Sequence, residues 1–166
     1  LVCFDADGTP AYFNMNTICS AGTGEFLKQL ADEAGIAIEQ LGSIALASTA
    51  PAVIDATCTV FSKRDFRHLT QKGVPLADRL MGACLALARN YVRNVVREAQ
   101  IKPPVFFQGG VAANEAARLA FRRELGMDVL VTPFAGVVGA LGMAVSARDA
   151  ASSGLLQATR FRADYS

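Results

Sequence analysis

The chain has 166 residues, of which 52% are hydrophobic and 19% charged, with a net charge of +1. This is enough for one domain with a sizeable core, and the composition is too apolar for disorder. The near-neutral charge gives no ground for binding nucleic acid or a membrane surface, and no apolar run approaches the roughly 20 residues that span a bilayer.

Residues 1–5 read as a short strand and Ala11–Met15 as its return strand, joined by the turn Asp7-Gly8-Thr9-Pro10, a strong hairpin signal. Thr23–Glu33 is predicted as an amphipathic helix with Phe26, Leu27, Leu30, Ala31 and Ala34 on one face and Gly35 as its C-cap. A second helix is expected over Ile38–Ala47. A third runs over Ser62–Gln71, capped by Thr57 or Thr59. After the turn Lys72–Pro75 comes the longest predicted helix, Leu76–Ala99. Its wide apolar stripe includes Leu80, Cys84, Leu87, Tyr91 and Val95. Arg89, Arg93 and Arg97 recur every four residues on another face and read as a solvated row. Pro103-Pro104 stops the helix. Val105–Gln108 is a buried strand, and Gly109-Gly110 turns into a helix over Glu115–Leu125 that Gly126 ends. A short strand at Asp128–Val131 and a glycine-containing helix from Pro133 to about Ala150 complete the domain, and residues 151–166 read as a tail or linker.

Strand–helix–strand at the C-terminal end implies a parallel pair with packed helices, and the hairpin adds antiparallel strands. The expected class is α/β, a mixed sheet with helices on both faces. The lone histidine, His68, lies in a charged segment and reads as a surface residue. The cysteines at 3, 19, 58 and 84 have no CxxC spacing, so reduced thiols in a cytoplasmic protein are expected rather than a disulfide framework. Cys3 and Cys84 fall on core patterns.

Two stretches carry chemistry. In Asn14–Phe26 an extended segment, Ala11–Met15, runs into a turn carrying a cysteine, Cys19, and then Gly22-Thr23-Gly24 opens a helix. Glycines permit a tight bend and close ligand approach, and the free N–H groups of a helix start suit a phosphate. The same positive end favours thiolate at Cys19. Gly109-Gly110 is a second glycine turn, at the carboxyl end of a strand, where ligands bind in open α/β sheets. Neither a P-loop nor a GxGxxG pattern is present. Cys19 and Cys58 each precede a helix start outside any apolar stripe. Two buried thiols account for them, and so do two ligands of a soft metal centre. A [4Fe–4S] cluster takes four thiolates, which a symmetric dimer would supply on its two-fold axis. Spacing alone leaves both readings open.

Asn16-Thr17-Ile18-Cys19-Ser20-Ala21-Gly22-Thr23-Gly24-Glu25-Phe26 resembles the first cysteine signature of the activators of 2-hydroxyacyl-CoA dehydratases, grouped with benzoyl-CoA reductase subunits as the BadF/BadG/BcrA/BcrD ATPases. Cys58-Thr59-Val60-Phe61 resembles that family's second cysteine motif, Val105–Asn114 its adenosine motif, and Pro133–Ala144 its terminal motif. The resemblance implies an actin/sugar-kinase/heat-shock-type (ribonuclease H-like) ATPase fold. It implies an adenosine pocket at Gly109, Gly110 and Asn114, with Gly22, Thr23 and Gly24 facing the phosphates of ATP or ADP with Mg²⁺. It further implies a homodimer whose [4Fe–4S] cluster is held by Cys19 and Cys58 of each subunit, driving low-potential electrons into a dehydratase or reductase. The family's acidic residues after the second cysteine motif are replaced by Lys63 and Arg64, with Asp65 kept, and Thr17 and Ile18 also depart from its pattern. The family's first phosphate loop and part of its second would precede residue 1. Residues 1–150 are therefore expected to be the C-terminal half of an activator ATPase domain, binding nucleotide weakly or not at all alone. A small-molecule kinase of the same superfamily, or a non-enzymatic cluster-binding dimerisation module, are the alternatives.

In that fold a strand preceding residue 1 separates the hairpin from the parallel pair. The expectation is that the hairpin shifts across to pair with Val105–Gln108, or that another chain fills the slot. Residues 155–161 of the tail are a further candidate.

Overall fold

The structure is a computed structural model and describes residues 1–17 and 24–154. The hairpin forms where expected, with β1 (Val2–Phe4) antiparallel to β2 (Pro10–Phe13). Val2 lies opposite Phe13 and Cys3 opposite Tyr12, with a bulge between Cys3 and Phe4. Its turn is fixed by one carboxylate. Asp5 Oδ1 accepts from the backbone N–H groups of Asp7 (3.0 Å) and Thr9 (2.8 Å), while Gly8 supplies the positive φ of 81°.

Helix α1 (Gly24–Ala34) follows, then α2 (Ile38–Leu46), α3 (Thr59–Gln71) and α4 (Leu76–Tyr91). Phe26, Leu27, Leu30 and Ala31 of α1 are buried as its period requires, and Gly35 ends the helix at φ 69°. Helix α3 starts three residues earlier than expected. Its N-cap position is Cys58, not Thr57 or Thr59, and the cap makes no side-chain hydrogen bond. The predicted 76–99 helix also changes character. After Tyr91 it continues as a π turn, Val92–Val96, and stops at Arg97 with φ 51°. Val95 and Val96, in the π turn, are both buried.

The C-terminal half holds β3 (Val105–Phe106), a 3₁₀ turn (Gly110–Ala113), α5 (Glu115–Leu125), β4 (Val129–Leu130) and α6 (Val138–Ser152). Helix α4 is the hub. Leu80, Cys84 and Leu87 are fully enclosed, together with Phe26 and Leu30 of α1, Leu41 of α2, Phe66 of α3 and Ala117 of α5. Burial of a side chain such as Phe66 is worth about 1.5–3 kcal/mol. In this apolar setting the Cys84 thiol is pushed up to about 12, as expected of an inert core residue. Cys3 is only half-buried. His68 is exposed at the end of α3. Helix α6 buries none of its side chains, and nothing lies within 4 Å of a Cβ built on Gly136, Gly139 or Gly142. The close approach that would account for those glycines is not made among the described residues.

The β3–β4 pair is parallel, with Val105 opposite Val129 and Phe106 opposite Leu130. The antiparallel and parallel pairs stand as two separate two-stranded sheets. The expected shift of the hairpin onto β3 does not occur among the described residues. One reason is that the end of β2 is pinned elsewhere, because Asn14 Nδ2 donates to the Val95 carbonyl in the π turn at 2.7 Å. Between the pairs lies an open groove of about 1730 Å³, walled by β1 on one side and β3 on the other and reaching Gly109 and Gly110 at one end. Residues 155–161 lie outside the described residues.

The connection from α2 to α3 is stitched along α4. Asp78, 7% exposed, accepts at Oδ1 from the Ser48 hydroxyl (2.6 Å) and from the N–H groups of Ala50 (3.0 Å) and Thr49 (3.1 Å). The Ser48 hydrogen bond, followed by the backbone donors, holds its carboxyl below the usual carboxylate range against the opposing effect of burial. A carboxylate with a depressed folded pKa contributes stability above its unfolded value, about 3.9, and loses it as pH falls through the folded value. In thermal melts, Asp78→Asn should therefore lie below the unaltered chain at pH 7, and the gap should close progressively below about pH 4. A gap of constant size down to pH 2–3, still below the unfolded value of about 3.9, would mean the hydrogen bonds do not depend on the charge.

Candidate nucleotide and cysteine site

Gly24, the first residue of α1, sits against the glycine turn. A Cβ built on it would lie 2.9 Å from Val111 Cγ2 in the 3₁₀ turn. The N-terminus of α1 and the turn Gly109–Ala113 are thus in contact, although 85 residues separate Gly24 from Gly109 in the chain. Gly109 has φ 94° and donates its N–H to the Ala135 carbonyl at 2.8 Å, so the turn is anchored to the segment leading into α6. Gly109 and Gly110 are exposed, and a Cβ on either would meet open space. A surface that close to the backbone, with a helix start facing it, is the kind that admits a nucleotide.

Asn114 has a structural task. It caps α5, with Oδ1 accepting from Ala117 N at 3.1 Å, and the same oxygen lies 2.8 Å from a Cβ built on Gly42 of α2. The missing side chain of Gly42 is what lets α2 approach this cap.

Cys58 is half-buried, carries no disulfide and occupies the extended N-cap position of α3, φ −147° and ψ 142°. The two residues before it are held from α4. Asn90, 2% exposed, donates Nδ2 to the carbonyls of Ala56 (2.8 Å) and Thr57 (3.3 Å). From the other side Ser62, 1% exposed, gives its hydroxyl to the Asp55 carbonyl (2.7 Å) and the Cys58 carbonyl (2.9 Å). Asp65 Oδ2 accepts the Asp55 N–H at 3.0 Å. Helices α1 and α3 lie side by side, joined by Lys63 Nζ to Gln29 Oε1 (3.1 Å) and by the Arg67–Glu33 pair (2.7 Å). Arg64 pairs with Asp65 at 2.9 Å and stacks over Phe61, 5.2 Å from the ring centre. The basic residues that replace the family's acidic ones are thus tied down locally.

Cys19, Gly22 and Thr23 lie outside the described residues. Among the described residues no three His, Cys, Asp or Glu side chains converge as a metal site. Cys58 is a half-buried thiol, as Cys3 is, and the backbone before it is held by Asn90 and Ser62. Asn90 and Ser62 were not marked as site residues by the sequence reading. The available signal was a polar residue inside the apolar stripe of α4.

Helices around two short strand pairs, with a glycine turn meeting a helix start, form the actin-like ATPase fold. The activator of the 2-hydroxyisocaproyl-CoA dehydratase from Clostridium difficile, solved with bound ADPNP, superposes with a TM-score of 0.87 at 29% identity, covering 98% of this chain and 60% of that one. The chain belongs to the BadF/BadG/BcrA/BcrD ATPase family, whose model matches residues 2–147. It is 33% identical to the (R)-2-hydroxyglutaryl-CoA dehydratase activating ATPase of Acidaminococcus fermentans over 141 residues, 85% of this chain and 54% of that protein. It is 32% identical to the 2-hydroxyisocaproyl-CoA dehydratase activator of Clostridioides difficile over 147 residues, 89% of this chain and 55% of that protein. The chain spans about half the length of the curated relatives it matches. Among the described residues no helix is long and apolar enough to cross a membrane.

Proposed function

We propose that this chain is part of an ATP-dependent iron–sulfur activator that delivers low-potential electrons to a 2-hydroxyacyl-CoA dehydratase or benzoyl-CoA reductase type of partner. The observation that supports this best is the contact of Gly24 with Val111, which sets the glycine turn of the adenosine motif against the helix that the first cysteine motif opens. Nucleotide chemistry and cysteine chemistry then meet through one helix. In this reading Gly109 and Gly110 leave room for the adenosine moiety, Asn114 fixes the turn by capping α5, and Gly22, Thr23 and Gly24 face the phosphates with their Mg²⁺. Cys19 and Cys58 of each of two subunits hold a [4Fe–4S] cluster, which when bound takes up and releases an electron at low potential.

The residues of this chain do the coupling. Helix α1 begins at the phosphate side and is bonded through Gln29 and Glu33 to α3, whose N-cap is Cys58. A change in the α1 start between nucleotide states would reach Cys58 through that packed pair, with α4 as the fixed support. Anaerobic reconstitution with iron and sulfide should give a broad visible absorption and a dimer in sedimentation. Cys58→Ser and Cys19→Ser should each remove the absorption almost completely. A cluster-bearing monomer, or full absorption in Cys58→Ser, would refute the assignment.

A further inference from the structure

We infer that Asn90 is a positioning residue for Cys58, acting with Ser62 to fix the backbone that presents the thiol. The inference rests on the reading of Cys58 as a metal ligand and names the group that governs it.

Three observations carry it. Asn90 lies in the last turn of α4, 2% exposed, one turn beyond the buried Ala86 and Leu87. A buried amide costs free energy unless it is bonded, so it is retained where its partners matter. Its two contacts, Ala56 O and Thr57 O, are the consecutive carbonyls just before Cys58. Those carbonyls belong to no helix or strand, and an Asn Nδ2 has two N–H groups to give them. Ser62 then secures the carbonyls on either side, Asp55 O and Cys58 O, from the first turn of α3. Asn90 and Ser62 together reach the four carbonyls from Asp55 to Cys58, Ser62 through one shared O–H, and the Cys58 carbonyl also accepts the Ser62 N–H at 2.9 Å. The thiol itself makes no cap hydrogen bond, so its place is set by the main chain behind it.

The same helix fixes the approach to the other cysteine motif. Just beyond Asn90 the helix widens into the π turn, and its Val95 carbonyl accepts from Asn14, two residues before Asn16, where that motif begins. A π turn leaves carbonyls free for outside donors. The end of α4 thus sets the approach to both cysteine segments, by giving an amide to one and taking an amide from the other.

The test compares the full chain with Asn90→Asp, Asn90→Leu and Ser62→Ala. Asp keeps the shape but turns lone pairs toward the carbonyls, Leu keeps the volume without a donor, and Ser62→Ala removes a single O–H. Rates of iodoacetamide labelling are read separately at Cys58 and Cys3 by peptide mass mapping, and iron uptake is measured under anaerobic reconstitution. Each variant should label Cys58 about fivefold faster, the population change expected from one lost hydrogen bond, with Cys3 unchanged and iron per chain reduced. Equal acceleration at Cys58 and Cys3 would mean general loosening, and unchanged labelling of Cys58 in folded Asn90→Asp would mean no positioning. Either result overturns the inference. If Asn90→Asp does not fold, Ser62→Ala carries the same comparison. An unaltered chain that takes up no iron, with the labelling contrast intact, overturns the cluster reading while supporting the positioning of Cys58.

Discussion

Replacing Gly110 by valine is expected to abolish nucleotide binding without lowering the melting temperature. No protein atom lies within 4 Å of a Cβ at Gly110, and the residue is exposed at the start of the 3₁₀ turn. Gly110 is not among the glycines with positive φ, so valine adopts its backbone conformation without strain. The added Cβ therefore stands in open space. Gly109 offers no such clean comparison, because its φ of 94° penalises any side chain whether or not a ligand binds. Ligand-observed NMR with millimolar ADP and Mg²⁺ detects even weak binding. An affinity loss of at least about a hundredfold is expected, since filling the approach surface removes the contact rather than weakening it. The melting temperature should move by less than about 4 °C, the shift that 1 kcal/mol gives in a domain of this size. A variant that binds ADP as tightly as the parent chain sinks the nucleotide assignment.

Gly82→Ala should be among the most damaging single-methyl additions in the molecule. A Cβ on Gly82 would lie 2.2 Å from the Ala52 carbonyl oxygen and 3.0 Å from its carbon, both backbone atoms that no rotamer change can move. Ala52 is also fastened to α4 by its N–H on the Asp78 carbonyl at 2.9 Å. Relief requires the whole 48–58 connection to lift from the helix. Alanine favours helices over glycine by about 1 kcal/mol, so the sign of the effect separates the two influences. Overpacking costs of 1–3 kcal/mol and more are usual where backbone must move, and a net loss of about 2 kcal/mol is expected in urea unfolding. Stabilisation by Gly82→Ala would show that the connection is not held against α4 in solution. Because the same connection ends at Cys58, the variant should also speed labelling of that thiol.

The helices were legible because their signals are local. The period of α1, the glycine at 35 and the proline-flanked start of α4 each state their message within a few residues. The motif glycines were legible as turns, and the structure adds what a linear reading lacks, namely that Gly24 touches Val111. The support of Cys58 was not legible in that way. Asp78, Gly82, Ala86 and Asn90 recur at every fourth position and are all buried, so one face of α4 carries the connection to α3. Read along the chain, that row looks like three interruptions of an apolar stripe, because the partners of Asp78 and Asn90, the Ser48 hydroxyl and main-chain groups, lie about 30 residues away. The cap of α3 was missed for a related reason. Thr57 and Thr59 are better capping side chains than cysteine, but the hold of Asn90 and Ser62 on the carbonyls fixes where the helix begins, and tertiary bonding overrides local preference. The π turn after Tyr91 left no sequence signal distinct from continued helix.

The groove between the two strand pairs bears on how the chain behaves at high concentration. Leu1 and Asn14 exchange both of their backbone bonds, so in an antiparallel ladder the N–H and C=O of Val2 point away from β2, into the groove. On the opposite wall Phe107 gives its N–H to Leu130, so the groups of Phe106 point away from β4. Val2, Phe4 and Phe106 are 44%, 62% and 54% exposed along these edges. Edges left unpaired among the described residues and carrying apolar side chains are what soluble sheet proteins usually blunt, and a net charge of +1 supplies almost no mutual repulsion between molecules. The colloidal stability of the chain is thus set by its main chain more than by its surface charges. Added salt should do little to its solubility, and short β-forming peptides should do a great deal.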